Sequence, residues 1–198
     1  TLTVDQAKYI ALLMDKVDNK QAAYDVLDLY VNKATFALAN TADKKIASDI
    51  YTNAGLSVTG GAVDSSNVAD LIRDIKVEMD NANIPSEGRW LAVPAELAGD
   101  IALSEINVAS TTNESARKNG FVQNFMGFDI YQSNNIPTGS GTKGVIAGVP
   151  DGYAHVDSLS DMSMGEHPDY FGTLIKALHV YGGKTLNPNM FVSTDIDV

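Results

Sequence analysis

The sequence contains no cysteine, which excludes disulfides, thiolate catalysis and cysteine-ligated zinc together. Long apolar runs are also missing. None approaches the ~20 residues that a membrane-spanning helix needs, so no membrane partner is expected. Cations are few: 14 Lys+Arg stand against 25 Asp+Glu, for a formal net charge of -11. Such a surface repels phosphate backbones. The cations are scattered as well, with Lys44-Lys45 and Arg117-Lys118 the only adjacent pairs, so general nucleic-acid binding is not expected. The opening TLTVDQ has no methionine, basic n-region or apolar h-region, which fits an N-terminus made by processing or truncation.

What remains is a globular composition, with 44% apolar and 20% charged residues and a mean hydropathy of -0.07. A chain of 198 residues suffices for one domain with a substantial core or for two small lobes. Residues 7–14, AKYIALLM, are short and apolar, a strand or the lead-in to a helix. Asp18 stands three residues before Gln21, as in a capping box. From there Ala23, Leu27, Tyr30, Ala34, Leu38, Ala42, Ile46 and Ile50 recur every three or four positions. The spacing predicts one helix from about 19 to 53, stopped by Gly55 and far longer than the ~11-residue norm. The Gly/Ser-rich connector AGLSVTGGAVDSSN marks a lobe boundary. A second helix is predicted after it, capped by Ser65 or Ser66, with Val68, Leu71, Ile72, Ile75 and Met79 as its apolar stripe.

The densest stretch is IPSEGRWLAVPAEL at 84–97, which holds the single tryptophan. Ser86-Glu87-Gly88 supplies turn chemistry, 89–93 reads as a buried strand, and Pro94 suits the first position of a third helix. Residues 104–120 read as a surface loop. Phe128 and Ile130 alternate with Asp129 and Tyr131 as on a strand, TGSGTKG reads as a hairpin turn, and VIAGVP as a buried strand. The long apolar stretch YFGTLIKALHVYGG reads as a central strand, followed by one more in NPNMFVSTDIDV. Early helices and late strands without regular alternation indicate an α+β fold.

Chemistry is harder to find. His155 and Asp157 sit two apart and can share one face of a strand, whereas His167 and His179 lie elsewhere. No dense metal-ligand spacing and no G-x-S-x-G elbow occurs, so no metal and no cofactor is expected. An α+β hydrolase would need His155, Asp157, Glu87 and Arg89 to converge in one pocket. The alternative makes Glu87 and Arg89 an ion pair, within or between chains, that fixes the turn. Ser/Thr/Asn-rich loops also suit an adhesin or binding module.

The order of four stretches resembles one family. TLTVDQAKYIALLMDKVDNKQAAYD, NIPSEGRWLAVPAEL, NGFVQNFMGFDIYQSNNIP and HVYGGKTLNPNMFV are similar, in that order, to segments of tailed-bacteriophage major capsid proteins with the Hong Kong 97 type fold. The resemblance implies an α+β structural protein, not an enzyme, with a peripheral-domain strand and long spine helix at 1–60. It further implies an axial domain at 61–170 and a long strand plus closing strand shared between the lobes at 171–198. It implies self-assembly into hexamers and pentamers of an icosahedral shell that encloses double-stranded DNA without reading it. Scaffolding, portal and decoration proteins would be further partners. Such a chain is made in the host cytoplasm and resides in the virion capsid. Relatives carry an N-terminal arm and extended loop before the segment matching Thr1, so the chain is expected to be the folded core of a longer protein. An encapsulin-like nanocompartment shell shares the fold and is the nearest alternative. Candidate inter-subunit residues are Glu87, Arg89, Lys44, Lys45, Arg117 and Lys118. The 18–54 helix is expected near threefold or quasi-threefold positions, and the loops at 104–120 and 134–144 near the fivefold and sixfold axes.

Overall fold

A computed structural model describes residues 1–15, 26–104, 121–139, 141–167 and 171–197. The chain forms two compact units, Thr1–Asp43 with His155–Lys184, and Lys44–Ala154 with Thr185–Val198. The boundary falls inside a helix. The Gly/Ser-rich connector expected to mark it lies within the second unit instead, where it pairs with a strand.

The first unit is built on a three-stranded sheet. The apolar run at 7–14 resolves as a strand, β1 (Gln6–Asp15), antiparallel to a late strand with Gln6 opposite Tyr181 and Asp15 opposite Gly172. Helix α1 (Val26–Asn53) follows; its 28 residues make it about 42 Å long at 1.5 Å per residue. Of the predicted span, 19–25 and the Asp18 cap lie outside the described residues. Ala34 and Ala42 are buried on the first unit's part of the helix, and Ile50 on the second unit's part.

The second unit opens with two short strands, β2 (Leu56–Ser57) and β3 (Gly61–Ala62), and continues into helix α2 (Val68–Asn81), which buries the predicted stripe Val68, Leu71, Ile72, Ile75 and Met79. The expected serine cap is not what starts this helix. The N-cap is Asn67, without a side-chain cap bond. The turn is held by the Asp64 carboxylate, which accepts from the Ser66 N–H and hydroxyl and the Asn67 N–H at 2.8, 2.6 and 3.2 Å. Those donors, the Ser66 hydroxyl first, hold Asp64 below the usual carboxylate range. β4 (Trp90–Val93) and α3 (Ala95–Leu103) complete the predicted strand and helix. Pro94 is the N-cap itself, one place earlier than expected, and its carbonyl accepts from the Ala98 N–H at 3.0 Å.

Strands β5 (Phe121–Phe125) and β6 (Phe128–Gln132) form a hairpin, and Phe128 and Ile130 turn inward as their alternation predicted. Next are β7 (Thr142–Gly148), a single 3-10 turn at Pro150–Gly152, and β8 (Tyr153–Glu166). β9 (Gly172–Thr185) and β10 (Phe191–Asp197) end the order. The small sheet runs β1-β9-β8 and the large one β2-β10-β7-β4-β6-β5, with β3 also pairing β10. β4 therefore lies between β6 and β7, parallel to the first and antiparallel to the second. β6 and β7 are not joined by the tight hairpin turn expected of TGSGTKG, because β4 lies between the two strands.

The central strands β4 and β7 of the large sheet are covered on both faces, which explains their apolar runs WLAV and VIAG. On one side Leu91, Val93, Val145 and Ala147 join the main core with α2 and α3. On the other, Trp90, Ala92, Ile146 and Phe191 pack with Ile46, Ile50 and Tyr51 of α1. Tyr51 Oη donates to Asp195 Oδ1 at 2.5 Å and so ties the helix end to β10. Burial, then that hydrogen bond and the carboxylate's charge, push the Tyr51 phenol up to about 12.

Candidate inter-subunit surfaces

The stretch at 84–97 is organised around a buried arginine. α2 ends where Asn83 takes φ 55°, and the chain reverses again at Gly88, φ 70°; a side chain would be strained at the latter, so glycine is the fitting residue. Between these points the Arg89 side chain, 3% exposed, reaches back under the turn. Its Nε donates to Pro85 O at 2.8 Å, Nη2 to Ile84 O at 2.5 Å and Nη1 to Asp80 Oδ1 at 2.7 Å. Asp80 also receives Lys76 Nζ at 2.5 Å. The Lys76 bond first, then Arg89, hold the Asp80 carboxyl below its usual range. The expected Glu87–Arg89 pair is not the bond that fixes the turn: Arg89 is engaged with Asp80 and two carbonyls, and Glu87 is exposed. No local signal pointed to Asp80, nine residues upstream on another element. Trp90 is half-buried and meets the Phe191 ring at 6.2 Å.

Of the other sequence candidates, Lys44 is exposed on α1 and Lys45 is bound to Asp49 at 2.5 Å. Arg117 and Lys118, and most of the 104–120 loop, lie outside the described residues. His155 and Asp157 share a face of β8 as their spacing predicted, 3.2 Å apart. His179 of β9, which sequence spacing did not bring in, reaches the same Asp157 oxygen at 2.9 Å. Its hydrogen bond, then the nearby His155, hold Asp157 below the ordinary carboxylate range. The Tyr181 ring backs His179 at 4.7 Å between centroids. This cluster belongs to the first unit and Glu87 and Arg89 to the second. The hydrolase quartet thus divides into two groups with separate partners, and Arg89 is consumed by its own turn. Among the described residues no group of three His, Cys, Asp or Glu is gathered to hold a metal, and no helix is long and apolar enough to cross a membrane.

Residues 1–193 match the family model described as phage capsid protein. The chain belongs to this family. A structure from Mycobacterium phage Che8 is 31% identical and aligns over 98% of this chain and 71% of its own, with a TM-score of 0.82. The capsid of cyanophage P-SCSP1u shares the fold at 18% identity and TM-score 0.73, over 98% and 73% of the two chains. A holo-SrpI encapsulin complex from Synechococcus elongatus does so at 10% identity and TM-score 0.70, over 99% and 74%. No curated protein matches. The resemblance to a tailed-phage major capsid protein with the Hong Kong 97 type fold is therefore borne out, as is the α+β class. This phage capsid protein is a structural, self-assembling subunit of the virion capsid, not an enzyme.

Proposed function

We propose that the first unit is the peripheral domain of the capsid fold, with α1 as its spine helix, and the second unit the wedge-shaped axial domain. The observation that carries this reading is α1 itself, a single 28-residue helix that contributes to both units. The domains then follow the compact units and not the linear ranges 1–60, 61–170 and 171–198 read from sequence. Copies associate as hexamers and pentamers of an icosahedral shell around double-stranded DNA. The formal charge of -11 suits a wall that encloses DNA without gripping it. Glu87 and Lys44, exposed beside anchored neighbours, are the inter-subunit contacts of their pairs. The loop at 134–144 serves contacts around a symmetry axis, and scaffolding, portal and decoration proteins complete the particle.

Electron microscopy of particles formed by the protein tests this reading. Closed shells with fivefold and sixfold capsomers and nuclease-protected DNA are expected. Shells that form with equal yield around protein cargo and exclude DNA would favour the encapsulin-like alternative, whose relative shares the fold.

A further inference from the structure

We propose that the outward face of the β1–β9 sheet, centred on Tyr9 and Leu13, is an interface covered by a second copy of this chain. The inference rests on the self-assembling role of the family and names one surface through which that role is carried out. Cross-strand register sets Tyr9, Ala11 and Leu13 opposite Leu178, Lys176 and Leu174. The period of two puts these six on one face. Of the alternate positions, Met14, Ile175, Ala177 and Tyr181 are buried and Ile10, Leu12, Thr173 and His179 half-buried, so the inward face is largely occupied within the chain. The outward face is more open: Tyr9 is 79% and Leu13 51% exposed, Ala11 and Lys176 are exposed, and Leu174 and Leu178 are half-buried. An antiparallel sheet with one face in water normally alternates apolar and polar residues, and unbroken apolar strands belong to sheets buried twice. β1 has the composition of the second kind and, within one chain, the burial of the first.

Charge and size both favour a second copy as the occupant. Lys176 is the one charged group among the six, and a chain with 25 acids against 14 bases offers it carboxylates. A phosphate-bearing partner would find a lone cation on an apolar floor. Only one of the six side chains is aromatic, worth roughly 150–250 Å², and Leu174 and Leu178 are half-buried, so the patch is small. A freestanding dimer uses about 800 Å² per partner. The contact is therefore one of several that each copy makes, as in a shell, with Tyr9 as its aromatic anchor.

Because the chain has no cysteine, Tyr9→Cys supplies a unique thiol for a benzophenone maleimide. An equal mixture of 15N-labelled and unlabelled full chain is assembled, irradiated and read by mass spectrometry. Mixed-isotope crosslinks from position 9 are expected. The double variant Tyr9→Asp/Leu13→Asp should lower the assembled fraction at least tenfold while its melting temperature as a free chain stays within a few degrees. Particles that form normally but give crosslinks only within a chain, to lipid or to another protein overturn this inference and leave the capsid role intact. Absence of both particles and mixed crosslinks overturns the assembly reading with it.

Discussion

The two units of the chain solve the burial problem differently. In the second unit the central strands of a wide sheet are covered on both faces by the chain's own helices, and side chains such as Ile72, Leu91, Phe128 and Phe191 lose all contact with water. In the first unit the large apolar side chains fall mainly on the surface. Tyr9, Phe36 and Phe171 are 79%, 73% and 90% exposed, whereas burial among its described residues rests on Met14, Ala34, Ala42, Ile175, Ala177 and Tyr181. A monomer rarely exposes apolar surface on that scale. The second unit reads as a domain whose core is complete, and the first as one whose core is finished by neighbours. Division of labour of this kind suits a shell subunit, because the part that holds its shape and the part that makes contacts can be tuned separately.

The comparison breaks most directly by truncating one residue of each kind. Leu91→Ala, in the closed core, is expected to cost about 3–4 kcal/mol by lost burial and the cavity left behind. Tyr9→Ala should change the free chain by no more than about 0.5 kcal/mol, as for other exposed positions. Urea denaturation of the two variants checks this. Equal losses would mean that the first unit also relies on Tyr9 internally, and the contrast would fail.

A second test overfills the closed unit. Gly148 of β7 faces Phe191 across the β7–β10 ladder, and a Cβ built there would run into the Phe191 ring. A Cβ at Gly152 would meet the opposite edge of the same ring at 2.5 Å. Gly148→Ala is expected to destabilise by about 1–3 kcal/mol through overpacking. Pairing it with Phe191→Leu should recover part of the loss, which a double-mutant cycle measures. At Gly165 of the first unit, where a Cβ would meet nothing within 4 Å, alanine should be tolerated.

Sequence legibility follows the same divide. α2 and β4 were readable because a closed core imposes period: the stripe of α2 and the run WLAV record burial by the chain itself. The sequence carries no sign that β8 runs as a strand along all 14 of its residues, since YAHVDSLSDMSMGE has neither an apolar run nor clean alternation. Its pairing is bought by β9, a partner chosen by topology. The placement of β4 between β6 and β7 is illegible for a similar reason, since strand order is set by which faces fit and leaves no local mark. The Arg89 site was half legible. Ser86-Glu87-Gly88 indicates a turn, but a buried guanidinium under it requires Asp80 and two carbonyls that only the fold assembles.

That arginine provides a smaller test of whether the second unit is held by geometry. Arg89→Met keeps the volume but leaves the Ile84 and Pro85 carbonyls without their donor. A cost of about 2 kcal/mol is expected, since unsatisfied buried acceptors lose roughly 1–3 kcal/mol each and water can reach part of the turn. Arg89→Lys should rescue little, because one ammonium cannot span the three acceptors that the guanidinium fork meets. Glu87→Ala, on the exposed side of the same turn, should leave stability unchanged.

The smallest effect concerns acid. Asp80 is held below the ordinary carboxylate range by Lys76 and then Arg89. A carboxyl whose folded pKa is lowered adds stability above its unfolded value, near 3.9, and loses it as pH falls through the lower folded value. Stability should therefore decline below about pH 4, modestly, because Asp80 is 44% exposed and solvent screens the pair. Asp80→Asn should lower stability at neutral pH and flatten that decline, read as a smaller drop in urea midpoint between neutral and acidic buffer. Asp157 of the first unit is shifted the same way by His179 and His155, so a residual acid slope should survive in the Asp80 variant. If the slope vanished entirely, the carboxylate between the two histidines would contribute nothing to the first unit. The small sheet would then depend on its neighbours even for the contact that joins β8 to β9.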